Sequence, residues 1–97
     1  MRRREKATLL GEILGAVAQA EEDGERRLTR LAVRVNMPYD RFMEFIAELR
    51  VKGLVEEDRE PRLTPRGFEV LRKFRGWKEV LAPLGFDLRS PRNPQQA

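Results

Sequence analysis

The chain has no cysteine and no histidine among its 97 residues. That removes disulfides, Cys/His zinc sites and every catalytic scheme built on an imidazole or a thiolate. Serine is nearly as scarce: Ser90 stands alone, set among Pro, Arg, Asn and Gln with no base nearby to activate it. Carboxylates are plentiful, but Glu21-Glu22-Asp23 and Glu56-Glu57-Asp58 are contiguous runs beside turn signals, the pattern of solvated surface rather than of a paired acid and base. No catalytic residue, metal ligand, cofactor or small-molecule site emerges, and an enzyme is not expected. No run approaches the roughly 20 apolar residues that cross a bilayer. Met1-Arg2-Arg3-Arg4 leads into a helix carrying Glu5 and Glu12, unlike a signal peptide, so a cytoplasmic location is expected.

Composition bounds the rest. With 40% hydrophobic and 7% aromatic residues, the chain can build one small core. The domain is expected over residues 1–85. Residues 86–97, with Pro91 and Pro94, hold too little apolar content to offset their ordering entropy and read as a flexible C-terminal tail. Charge is uneven: residues 1–60 carry 12 Lys+Arg against 13 Asp+Glu, and residues 61–97 carry 8 against 3. The resulting +4 and a pI near 10.1 favour an anionic partner. Sixteen of the 20 cationic residues are Arg and 37% of the chain is charged. Those figures point toward a thermophile, although GC-rich codons raise arginine as well.

The organising stretch runs from Met37 to Gly67. Phe42, Phe45, Ile46 and Leu49 recur at spacings of three and four, one apolar face of a helix over 38–52 that begins at Pro38. The outward face then carries Asp40, Glu44, Ala47 and Val51. Gly53 follows where a left-handed cap residue belongs. Leu54 and Val55 begin an extended run, the charged segment around Asp58 to Pro61 turns it, and Leu63 returns it: a hairpin. Thr64 is a good N-cap and Pro65 a good first residue for the last helix, over 65–82.

Upstream, Leu9, Leu10, Ile13, Leu14 and Val17 fall within about 140° of arc at 100° per residue, so a first amphipathic helix is expected over 4–22. Gly11 and Gly15 fall together on its opposite side, either tolerated on a solvent face or open to a closely packed partner helix. Arg27-Leu28 is expected to form a one-bridge strand, and Thr29 to cap a short helix over 30–36. Short helix, tight turn and longer helix make a helix-turn-helix, and the hairpin makes it winged. The expected fold is therefore mainly α with a small β-hairpin, in the order α-β-α-α-β-β-α.

These residues carry a resemblance. Asn36-Met37-Pro38-Tyr39-Asp40-Arg41-Phe42, Leu49, Lys52-Gly53-Leu54-Val55, Leu63-Thr64-Pro65-Arg66-Gly67 and Leu71 resemble the archaeal winged-helix transcriptional regulators and the related small basic chromatin-type proteins. The resemblance implies a third helix that reads duplex DNA, a hairpin that acts as a wing, a last helix extended to pair two subunits, and a nucleoid-associated location. Carried onto this sequence, it makes Arg30, Arg34, Tyr39, Arg41, Arg59 and Arg62 the candidate DNA contacts. Arg30 and Arg34, four apart, can straddle a phosphate backbone or form a salt-bridged face.

The last helix carries more apolar surface than one small domain needs. Phe68 and Leu71 are expected to pack on the first helix and the hairpin. Phe74, Trp77, Val80 and Leu81 extend past them as the candidate homodimer interface, unless the helix folds back to fill its own core. Asp40 and Glu44 make the outward face of the third helix acidic, which keeps a protein-interaction module without DNA binding as the rival reading, beside a non-specific chromatin role.

Overall fold

A computed structural model describes residues 6–85; the expected tail lies outside them. Four helices, α1 (Lys6–Asp23), α2 (Leu28–Arg34), α3 (Tyr39–Val51) and α4 (Pro65–Leu81), are followed by one 3-10 turn, Ala82–Leu84. α1 packs against α2 and α4, and α2 against α3.

The central element is α1, which is buried on two sides. Leu9, Ile13, Leu14 and Val17 face a core shared with Leu31, Phe42, Ile46, Leu49, Val55, Leu63 and Leu71. The second side is made of small residues. Thr8 and Gly11 are buried and Gly15 half-buried there, and α4 lies across the two glycines. A Cβ on Gly11 would come within 2.4 Å of the Phe74 ring, while one on Gly15 would meet Leu71 and Arg75 at 3.7–3.9 Å. Gly11 facing Phe74 and Gly15 facing Leu71 make α1 and α4 antiparallel. The glycines therefore seat a helix of the same chain.

That seating reverses two expectations for α4. Phe74, expected beyond the core, packs against it, and Phe68, expected to pack, is 46% exposed. The helix runs unbroken through Gly76.

α2 starts at Leu28, with Arg27 in the N-cap position, so neither the Arg27-Leu28 strand nor the Thr29 cap forms. Side chains occupy the edge such a strand would have used. Glu21 accepts from the Leu63 N–H at 2.8 Å, and the Arg26 guanidinium donates to the Glu60 carbonyl at 3.2 Å. Pro61, fully buried between them, has no N–H to offer a ladder.

The turn between α2 and α3 closes on Asn36. At φ 57° it is the one described non-glycine residue in the left-handed region, which asparagine tolerates better than most. Its N–H donates to Val33 O at 2.9 Å and that of Met37 to Ala32 O at 3.0 Å, satisfying the last carbonyls of α2 and burying Met37. Pro38 then stands at the N-cap rather than inside α3.

α3 ends the same way. Gly53, at φ 75°, donates to Arg50 O, and Leu54 donates to Leu49 O. The expected two-stranded hairpin is reduced to a single antiparallel bridge, Val55 with Leu63, reinforced by Glu56 N–H to Arg62 O at 2.8 Å and Thr64 N–H to Leu54 O at 3.1 Å. Residues 56–62 are mostly charged and end on Pro61-Arg62, a composition with little preference for pleated structure.

The Gly-Leu-Val and Leu-Thr-x-x-Gly segments form one joint. The Thr64 hydroxyl donates to Gly53 O at 2.7 Å and accepts from the Gly67 N–H at 2.9 Å, capping α4. Gly67 lies so close to Leu54 O that an added Cβ would sit 2.1 Å from it. The end of α3, the base of the wing and the start of α4 are thereby locked together.

Candidate nucleic-acid interface

The short α2, the Asn36 turn and α3 present one side of α3 outward. Phe42, Ile46 and Leu49 are buried and Phe45 half-buried. The outward positions Asp40, Glu44, Ala47 and Val51 are all exposed, Val51 at 87%. Tyr39, 44% exposed, and Arg41 occupy the first turn of α3. Arg41 lies over the Phe45 ring, 5.5 Å from its centroid, which draws its guanidinium to the flank of the helix.

The electrostatics of α3 change along its length. Glu48 is paired twice, with Lys6 of α1 at 3.0 Å and Lys52 at 3.2 Å. Hydrogen bonds from Lys6 and then Lys52 hold its carboxyl below the usual glutamate range. Asp40 and Glu44, by contrast, make no ion pair with any other described residue.

Beside α3, the wing is held by a residue that sequence reasoning did not single out. Arg50, in the last turn of α3, donates to the backbone carbonyls of Glu56 and Asp58. It fixes the wing loop to the helix. A cation near a helix C-terminus was visible in the sequence as a favourable dipole contact, but its reach into a loop six to eight residues onward was not. Arg26 does the same work from the other edge, with its Glu60 ion pair at 3.6 Å.

The six candidate contacts are all exposed, but not equally available. Arg59 and Arg62 on the wing loop have no side-chain partner among the described residues, and Arg30 on α2 makes no hydrogen bond or ion pair with them, although its charge helps lower the Glu25 carboxyl. Arg34 is paired with Asp23 at 3.1 Å, so any phosphate it met would compete with that carboxylate. Arg27 is likewise engaged: its hydrogen bonds to Glu25 at 2.8 and 3.0 Å lower the Glu25 carboxyl and raise the guanidinium. Of the four α4 residues set apart for self-association, Phe74 is seated on α1, Leu81 is half-buried, and Trp77 and Val80 are exposed at 58% and 61%.

Among the described residues no three acidic side chains gather to hold a metal ion, and no helix is long and apolar enough to cross a membrane. No curated protein and no solved structure matches the chain. A family does match, over residues 3–82, a span that takes in the helix-turn-helix, the wing loop and all of α4. The chain is therefore a member of the winged helix-turn-helix family.

Proposed function

We propose that this protein binds duplex DNA, as a transcriptional regulator that acts as a homodimer. The observation that carries the reading is the outward projection of α3 from a helix-turn-helix whose turn is fixed at Asn36, with a wing loop pinned beside it by Arg50. In this arrangement the N-terminal half of α3 enters the major groove, where Tyr39 lies nearest to base edges and Arg41 joins it once it leaves the Phe45 ring. Arg30, Arg59 and Arg62 meet phosphates on either side, and Arg34 joins them once it leaves Asp23. A second copy docks along α4 through Trp77 and Val80, with Leu81 beside them, so that two reading helices present themselves to one duplex.

The test is a salt titration of binding to mixed duplex fragments. Micromolar protein should bind at about 50 mM salt and release as salt rises, since each phosphate contact frees roughly one counterion. Replacing Arg30, Arg59 or Arg62 with Ala should weaken all sequences alike and reduce the salt slope by about one unit. No affinity at the lowest salt would remove this reading. It would leave the protein-interaction alternative, which the exposure of Ala47 and Val51 beside two free carboxylates favours. Binding with no sequence preference would assign the chain to chromatin instead.

A further inference from the structure

α3 is an unusual reading helix in that its outward side carries carboxylates where phosphates crowd the groove. A third carboxylate, Glu48 on the flank, is neutralised by Lys6 and Lys52 at 3.0 and 3.2 Å. The other two are not. Asp40 lies in the first turn and Glu44 one turn further on the same exposed face, both within the half of the helix that a groove admits. Arg41, the cation between them in sequence, is turned onto Phe45 and does not cancel them.

We propose that, if α3 reads DNA as argued above, Asp40 and Glu44 are its specificity determinants. Each selects the base whose exocyclic amine stands where its carboxylate reaches, cytosine N4 first. A carboxylate is an acceptor only, so it can bond cytosine N4–H but meets repulsion from guanine O6 and N7, thymine O4 and the phosphates. Where guanine or thymine faces the carboxylate instead, its charge enters the groove desolvated and unpaired, and that cost acts against the wrong sequence. The acidic face thus lowers affinity for random duplex while steepening discrimination. Attraction comes from Arg30, Arg59 and Arg62 and selection from α3.

The experiment uses the full chain and a randomised duplex pool. The preferred site is selected for the wild type, and affinities are then measured on that site and its single-base variants. At the position met by Glu44, wild type should prefer cytosine about tenfold or more. Glu44→Gln should move the preference to adenine, because a carboxamide bonds N6 and N7 of adenine together, and should tighten random-duplex binding several-fold. Glu44→Ala should flatten the preference there. Asp40→Asn should act alike at a neighbouring base; since Asp40 also faces the positive end of the α3 dipole, Glu44 is the cleaner probe. Circular dichroism identical to wild type establishes that each variant is folded.

If Glu44→Gln and Glu44→Ala change affinity for every duplex by the same factor and keep the wild-type preference, the inference is overturned while DNA binding stands. If wild type shows no preference at all, the inference is overturned in favour of a non-specific role. If wild type binds no duplex, the DNA reading itself falls and this inference with it.

Discussion

Gly67→Ala is the most informative perturbation of the fold, because it adds one methyl group at the joint of α3, the wing and α4. The added Cβ would stand 2.1 Å from Leu54 O, whereas an ordinary carbon-oxygen contact is about 3.3 Å. The first turn of α4 and the Leu54 carbonyl must therefore part by roughly 1 Å. That carbonyl accepts from the Thr64 N–H at 3.1 Å, and Thr64 caps α4 through the Gly67 N–H itself. Loss of the Leu54 bond costs about 1 kcal/mol and weakening of the cap about 1 kcal/mol. Residual overpacking adds about 1–3 kcal/mol. Alanine's helix propensity returns up to about 1 kcal/mol.

The net expectation is a destabilisation of about 2–4 kcal/mol, or a fall in Tm of about eight degrees or more for a domain of this size, at about 4–8 °C per kcal/mol. Gly76→Ala is the control. It lies in the same helix with nothing within 4 Å of the added methyl, so only propensity acts and stability should rise by about 0.5–1 kcal/mol. Urea and thermal unfolding followed by circular dichroism, at one protein concentration, would read both. A Gly67→Ala variant as stable as wild type, with unchanged amide shifts at Leu54 and Thr64, would refute the joint.

The same logic divides the glycines of α1: Gly11→Ala should destabilise by displacing Phe74, while Gly15→Ala, in ordinary contact distance of its neighbours, should be neutral or stabilising by up to about 1 kcal/mol, both read by urea unfolding. Glu48 should contribute to the acid limb of stability. Its carboxyl is lowered in the folded state, so the tie to Lys6 and Lys52 is intact above the ordinary glutamate pKa and is lost as pH falls through the lowered value. Glu48→Gln should therefore reduce Tm at neutral pH, match wild type at low pH, and flatten the curve between. Trp77→Glu should give a monomer by light scattering if α4 pairs two copies, and a wild type already monomeric at high micromolar concentration would refute that pairing.

Most of the helix-turn-helix was legible in the residues because it is locally specified. Apolar spacing placed the buried side of α3, Gly53 its end, and Thr64-Pro65 the start of α4; caps and periodicity act within a few residues and need no knowledge of the rest of the chain. The acidic outward side of α3 followed from the same periodicity. Other features depended on which elements meet. One apolar stripe identified one buried side of α1, but a helix can also be buried on a side made of small residues. The periodicity of hydrophobic residues is blind to that side, so Gly11 and Gly15 left its covering open, and Phe68 and Phe74 changed places. The strand at Arg27-Leu28 was lost to Arg26 and Glu21, whose side chains reach 34 and 42 residues along the chain to Glu60 and Leu63. Which arginines stand free was equally a tertiary matter, since Asp23 claims Arg34 across a turn and Arg50 is drawn to the wing carbonyls. Local sequence determined the elements and their exposed sides. Long-range packing and ion pairing decided which small residues became contact surfaces and which charges remained free to meet a partner, because both depend on distances that only the assembled chain defines.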